Sequence, residues 1–326
     1  MDEMNMLRTN NTPFIKKALS QNLFVLILLN LVLFAFFSLS TSTFFTLLNF
    51  PMILLNMAVN GILAIALTFT IITIGIDLSV GSVLSLTGVI SATLYVSGVN
   101  WILCLIIGIL VGACCGLITG LFVSFFRIPA FIASLGMQSI ASGIALTITR
   151  GTPISGALPQ IKTLGVDRLF GFFPYTWIIM LCCFIIAHLI LQYTRTGRYF
   201  YTIGGNAEAA RFSGINLKLY TALPFVFSGI LAAIATFLLI GRTSSADAQA
   251  GVGMELDAIA AAIIGGTSMR GGEGTIIGTF LGALMMTILK NGMVHLGLTT
   301  YPQKIVLGVI VILVVILDIT SRSRRQ

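Results

Sequence analysis

The chain has 326 residues, 57% of them hydrophobic and 9% charged, with a net charge of +8. Soluble domains carry about 25% charged residues, and a chain with a mean hydropathy of +1.05 lacks the polar surface to cover itself in water. A soluble globular protein is therefore excluded, and the class is integral membrane.

Runs of eighteen or more nearly uncharged residues recur along the whole length, each long enough to cross ~30 Å of hydrocarbon as a helix. A β-barrel would show short alternating segments instead. The expected fold is an all-α, polytopic bundle of about ten transmembrane helices, some broken by glycine, with both termini cytoplasmic.

In chain order, residues 1–21 read as a cytoplasmic N-terminal segment. Arg8, Lys16 and Lys17 precede an apolar stretch over 23–39. That stretch is long for the h-region of a signal peptide, and no convincing small-x-small cleavage site follows it. It reads as a retained first span. The spans predicted are 22–41, 52–75, 79–97, 101–126, 129–149, 174–193, 220–241, 257–268, 275–296 and 303–320. The eighth is short, and the second and third nearly run together, so eight or nine spans also fit. Residues 22–320 form one transmembrane domain, and 321–326 a cytoplasmic tail. The longest polar segments are an inner loop, 194–219, and an outer loop, 150–173.

Basic residues set the orientation. With the N-terminus inside, the inner side holds Arg8, Lys16, Lys17, Arg127, Arg195, Arg198, Arg211, Lys218, Arg270, Arg322, Arg324 and Arg325. The outer side holds Arg150, Lys162, Arg168, Arg242 and Lys304. The excess inside explains the positive net charge as bilayer orientation, with no need for nucleic acid. Lys290 falls within the ninth span, where it must face protein or a cavity.

"TIGIDLSVGS" (73–82) places the lone acid Asp77 between Gly75 and Gly81. Gly75 ends one helix, and Asp77 or Ser79 can cap the next by accepting from its free N–H groups. The competing reading gives Asp77 a place on the substrate path or in coupling. Gly108, Gly112, Gly116 and Gly120 recur every four residues and bare one helix face for close backbone approach. That face serves packing within the chain or a dimer seam.

In "AIAAAIIGGTSMRGGEGTIIG" (258–278), Gly265, Gly266, Gly271, Gly272 and Gly274 break the helix repeatedly. Broken backbone must lie inside protein, in a cavity or at the surface. Both a tight cytoplasmic turn and a discontinuous helix near a transport pathway fit. In the inner loop, "GNAEAARFSGI" (205–215) fits a short helix with Asn206 as N-cap, Glu208 in the first turn and Gly214 as the stop. It serves as a docking element for a soluble partner or is a solvated loop.

No G-x-x-x-x-G-K-[ST] phosphate loop, Ser/His/Asp constellation or metal-ligand spacing is present. His188 and His295 lie apart in apolar spans, where packing or hydrogen bonding accounts for them. Cys104, Cys114, Cys115, Cys182 and Cys183 read as small packing residues. Asp77, Lys290 and Asp257 are the only candidates for an intramembrane relay, so uphill transport would need energy from another chain.

Five segments in register resemble the permease subunits of bacterial sugar ABC importers of the ribose, xylose, arabinose and allose type, with the ribose members nearest in look. They are "GIDLSVGS" (75–82), "IPAFIASLGM" (128–137), "GRYFYTIGGNAEAARFSGI" (197–215), "ELDAIAAAIIGGTSMRGGEGTIIGTFLGA" (255–283) and "NGMVHLGL" (291–298). The resemblance implies a multi-pass subunit of the bacterial inner membrane that translocates a monosaccharide and has no ATPase site of its own. It implies three partners besides lipid: a cytoplasmic ABC ATPase carrying ATP–Mg, a periplasmic sugar-binding protein, and a second permease, identical or paralogous. No cofactor on this chain is implied.

An EAA-like coupling loop is implied at Gly204, Gly205, Asn206, Glu208, Ala209, Ala210, Arg211 and Gly214. A helix break or pathway is expected at Asp77, Gly265, Gly266, Gly271 and Gly272. Contact with the binding protein is expected at Arg150, Lys162 and Arg168. The competing function is an ion-coupled secondary transporter acting as a single chain.

Overall fold

In hydrocarbon no water takes up an unpaired backbone N–H or C=O, so this composition must close its hydrogen bonds within helices. The computed structural model describes residues 12–323, with side chains described for 23–313, 315 and 316. In chain order the described residues form α1 (Thr12–Ser40), α2 (Asn49–Ile72), α3 (Val80–Val96), α4 (Trp101–Ser124) and α5 (Ala130–Thr149). Strand β1 (Ile154–Ser155), α6 (Lys162–Val166), β2 (Arg168–Leu169) and β3 (Phe173–Pro174) follow. Next come α7 (Tyr175–Tyr193), α8 (Arg195–Gly205), α9 (Ala207–Phe212), α10 (Leu217–Thr243) and β4 (Ser245–Ala246). The chain closes with α11 (Met254–Ile264), α12 (Ile276–His295) and α13 (Thr300–Ser323).

Each of the ten predicted spans falls on one helix. Among the described residues seven, α1, α2, α4, α5, α7, α10 and α12, are long and apolar enough to cross a bilayer. Helix α3 has 17 residues and α11 only 11. The predicted terminal segments, 1–21 and 321–326, lie partly outside the described residues, and the first helix starts at Thr12, ahead of the predicted boundary.

Helix α2 occupies the centre. Its side chains are buried on every face, which is why its sequence shows no amphipathic stripe. Helices α7, α10, α11 and α12 surround it, and α3 lies between α10, α4 and α5. Buried hydroxyls tie the layers: Thr68 to Thr279 at 2.7 Å and Thr87 to Thr236 at 3.1 Å.

The glycine ladder of α4 settles against α10. A Cβ at Gly112 or Gly116 would overlap the carbonyl oxygens of Gly229 and Phe225, and Gly120 abuts the Ala222 backbone. The face serves packing within the chain. Helix α12 binds the early helices through side-chain amides. Asn49 and Asn291 exchange two hydrogen bonds, at 2.8 and 3.0 Å, and Asn30 donates to the Leu281 carbonyl at 3.2 Å.

The loops predicted on the outer side gather at one end. There β1 pairs antiparallel with β4, Gln160 donates to Tyr95, Arg242 donates to Asn56, and Thr43 meets His295 Nδ1 at 2.8 Å. The loops predicted on the inner side gather at the other end, around the last turn of α2.

Candidate functional site

The inner loop expected over 194–219 contains two helices rather than one. Helix α8 starts on Thr194, whose hydroxyl accepts from Gly197 N at 3.2 Å. One of its faces is buried through Gly197, Phe200, Ile203 and Gly204. Phe200 stands edge-on to Phe69 of α2 and Phe227 of α10. An apolar face at helical spacing, seated on an aromatic cluster, holds α8 in place.

Helix α9 follows with the predicted caps. Asn206 accepts from Ala209 N at 2.9 Å. Glu208 lies in the first turn and Arg211 in the last, the arrangement that suits the helix dipole. Gly214 stops the helix with a φ of 77°, and Ile215 N closes the turn on the Ala210 carbonyl. Only Ala210 of α9 is buried. Glu208, Ala209, Arg211 and Phe212 face outward, Phe212 with 89% of its surface exposed. The sequence reading passed over Phe212; the signal was an aromatic at the end of a helix too short to need it for a core.

The glycine break lies directly against this loop. Residues 265–275 form the turn between α11 and α12, with positive φ at Gly266, Gly271 and Gly272. Gly272 N donates to the Ile72 carbonyl at 2.8 Å. The Tyr201 hydroxyl donates to the Gly274 carbonyl at 2.7 Å. Burial pushes the Tyr201 phenol up to about 12, so it stays a neutral donor. A Cβ at Gly204 would overlap both the Ile72 carbonyl oxygen and the Gly272 amide nitrogen. Gly205, one residue on, has open space on its Cβ side. Gly265 is pressed on Gly278, and Gly282 on the Ala261 carbonyl, so α11 and α12 touch backbone to backbone.

Asp77 sits one short turn away, 2% exposed. Its Oδ1 accepts from Ser79 N at 2.9 Å and from Ser79 Oγ, and its Oδ2 accepts from Ser228 Oγ of α10 at 2.6 Å. The same turn is held to α5, where Ser134 Oγ donates to the Ile76 carbonyl. Ser79 occupies the N-cap position without a side-chain cap bond; Asp77 does not cap α3 as expected but accepts from the N-cap residue itself, closing a tight turn ahead of the helix.

A second set of charged groups lies within the bundle. Asp257 of α11 and Lys290 of α12 form an ion pair. Glu255, two residues earlier, is also buried. Its Oε1 accepts from Gly253 N at 3.2 Å, and its Oε2 has no partner among the described residues. Glu255 escaped the sequence reading, although acids at positions 255 and 257 open an alanine-rich helix where negative charge suits the N-terminus. The chain before α11, residues 244–253, is not helical: it holds the two-residue strand β4 and otherwise turns. It is held by Gly251 N donating to Ser85 Oγ at 3.0 Å and by Gly251 packed on Gly81.

The outer loop carries Arg150 and Lys162 exposed and Arg168 half-buried. It is strapped down by buried Ala157, Leu158 and Ile161, by the β2–β3 hairpin and by Gly165 against Gly241 and Arg242. These three cations share a loop remote from α9. No cluster of three metal-ligating side chains occurs among the described residues.

The family described as the permease component of a branched-chain amino acid transport system matches residues 49–315. The chain is 41% identical over 292 residues to the ribose import permease protein RbsC of Escherichia coli strain K12, covering 88% of this chain and 91% of that protein. It is 38% identical to RbsC of Bacillus subtilis strain 168, covering 83% and 84%. It is 35% identical to the D-allose transport system permease protein AlsC of E. coli strain K12, covering 89% of each. No solved structure matches the chain. Agreement over nearly the whole length, on a bundle with seven helices able to cross a bilayer among the described residues, shows that the chain belongs to this permease family and is a multi-pass protein of the bacterial inner (plasma) membrane.

Proposed function

We propose that the chain is the membrane subunit of an ATP-binding-cassette importer, translocating a ribose-like monosaccharide with ATP hydrolysed by a separate cytoplasmic subunit. The observation that carries this reading is the 41% identity to a ribose import permease across 88% of the chain. The geometry supports it: α9 is capped at both ends and exposes Glu208, Arg211 and Phe212, the form of a short helix offered to a cleft in a partner. In this reading the end carrying α8, α9 and the 265–275 turn is cytoplasmic. The outer loop with Arg150, Lys162 and Arg168 receives a periplasmic sugar-binding protein, and a second permease copy or paralogue completes the channel.

The test is uptake of labelled D-ribose and D-allose into vesicles holding this chain with and without its ATPase. ATP-dependent uptake only with the ATPase is expected. Uptake driven by a proton or sodium gradient without the ATPase would overturn the reading in favour of a secondary transporter.

A further inference from the structure

At the root of the α8–α9 loop, three chain segments far apart in sequence meet backbone to backbone. The last turn of α2 offers the Ile72 carbonyl to Gly272 N at 2.8 Å. Gly204 fits between them with no room for a side chain, and a Cβ on Gly272 would come within 2.8 Å of Gly205 Cα. Tyr201 adds a hydrogen bond from one turn earlier on α8 to Gly274, the last glycine of the turn. We infer that this junction is the joint that delivers movement of α9 to α11 and α12, with Tyr201 and Gly204 as its positioning residues. The inference rests on the permease reading above.

The physical argument is stiffness. A push passed through long side chains is partly absorbed by rotamer changes, whereas close-packed backbone transmits displacement directly. On the input side, α8 leads into α9 through the single extended residue Asn206 and is seated by Phe200 on Phe69 and Phe227. On the output side, the 265–275 turn runs straight into α11 and α12. These two are locked together by Gly265 on Gly278 and Gly282 on Ala261, and both carry the Asp257–Lys290 pair. A solvated loop would need neither the glycine at 204 nor the phenol at 201. Gly204 is therefore sterically required at the junction, whereas a Cβ on Gly205 would meet open space.

The experiment uses the whole assembly of permease, ATPase and binding protein in proteoliposomes. It reads sugar imported per ATP hydrolysed, with whichever of D-ribose or D-allose the wild-type assembly takes up. Tyr201→Phe removes one hydroxyl and keeps the ring; the ratio is expected to fall about threefold to tenfold, the worth of one hydrogen bond, with ATPase co-purification unchanged. Gly204→Ala is expected to abolish import, and Gly143→Ala, on α5 where a Cβ meets open space, to behave as wild type. A wild-type ratio in Tyr201→Phe, even with lowered thermal stability, would overturn the inference, as would equal losses in Gly204→Ala and Gly143→Ala. Absence of ATP-driven uptake by the wild-type assembly would instead overturn the permease reading, and the joint with it.

Discussion

Asp77 and Ser228 meet at 2.6 Å across the gap between the α2–α3 turn and the middle of α10. This bond joins two positions 151 residues apart, and with Ser134 on Ile76 it fixes the turn to α10 and α5 together. Asp77 thus holds a local turn ahead of α3 and a tertiary tie with one side chain.

Asp77→Asn should be tolerated. Its amide oxygen replaces Oδ1 for both Ser79 donors, and the Ser228 hydroxyl rotates to accept from the new NH₂. Asp77→Ala leaves Ser79 and Ser228 without their acceptor inside the protein, at a cost of ~1–3 kcal/mol per unpaired group. Thermal unfolding in detergent should separate the two variants by several degrees. Loss of sugar uptake in a stably inserted Asp77→Asn protein would show that the charge itself is needed.

The Asp257–Lys290 pair should be costly to halve and cheap to replace. Removing one partner of a buried pair costs ~3–5 kcal/mol, whereas replacing both with apolar groups is often neutral. Lys290 is partly exposed, 29% of its side chain, so Lys290→Met is expected at the low end of that range. Lys290→Met combined with Asp257→Leu should recover most of the loss in folded yield and unfolding temperature.

Gly116→Leu should separate α4 from α10. Its Cβ alone would overlap the Phe225 carbonyl, and forcing larger groups into a packed interface costs typically ~1–3 kcal/mol or more. The same change at Gly143 on α5, where a Cβ meets open space, should leave the isolated subunit's stability unchanged. Monodispersity on size exclusion is the direct check.

Phe212→Ala should weaken ATPase binding without changing permease stability, because this ring contributes nothing to the core. A central aromatic anchor in an interface is worth ~2 kcal/mol or more, so roughly a 30-fold loss of affinity is expected. Glu208→Arg with Gly214→Arg should abolish co-purification. Normal ATPase capture by both proteins would remove α9 from the coupling role.

The long helices were legible because each is an apolar run bounded by polar residues, and α9 because its caps are local; α8, half polar, was not. Asn206 and Gly214 announce its ends within nine residues. The glycine ladder of α4 was legible as a close-contact face, though its partner was not. What escaped depends on distance along the chain. Nothing near Asp77 points to Ser228, and nothing near Gly204 points to Ile72 and Gly272. The span count was ambiguous for a physical reason: α11 is half the length of a span, and the chain before it, 244–253, is held by Ser85 and Gly81 instead of by its own helical turns.

The amide pair of Asn49 and Asn291 bears on how the protein is made. Its partners are 242 residues apart, and at ~5–20 residues per second synthesis separates their appearance by roughly ten to fifty seconds. Through that interval α1 and α2 stand in the membrane with Asn30 and Asn49 lacking the α12 groups that hold them in the finished bundle. The arrival of α12 is therefore the event that fastens the first-made helices, and a chain truncated before it should be marked for proteolysis by those two exposed amides.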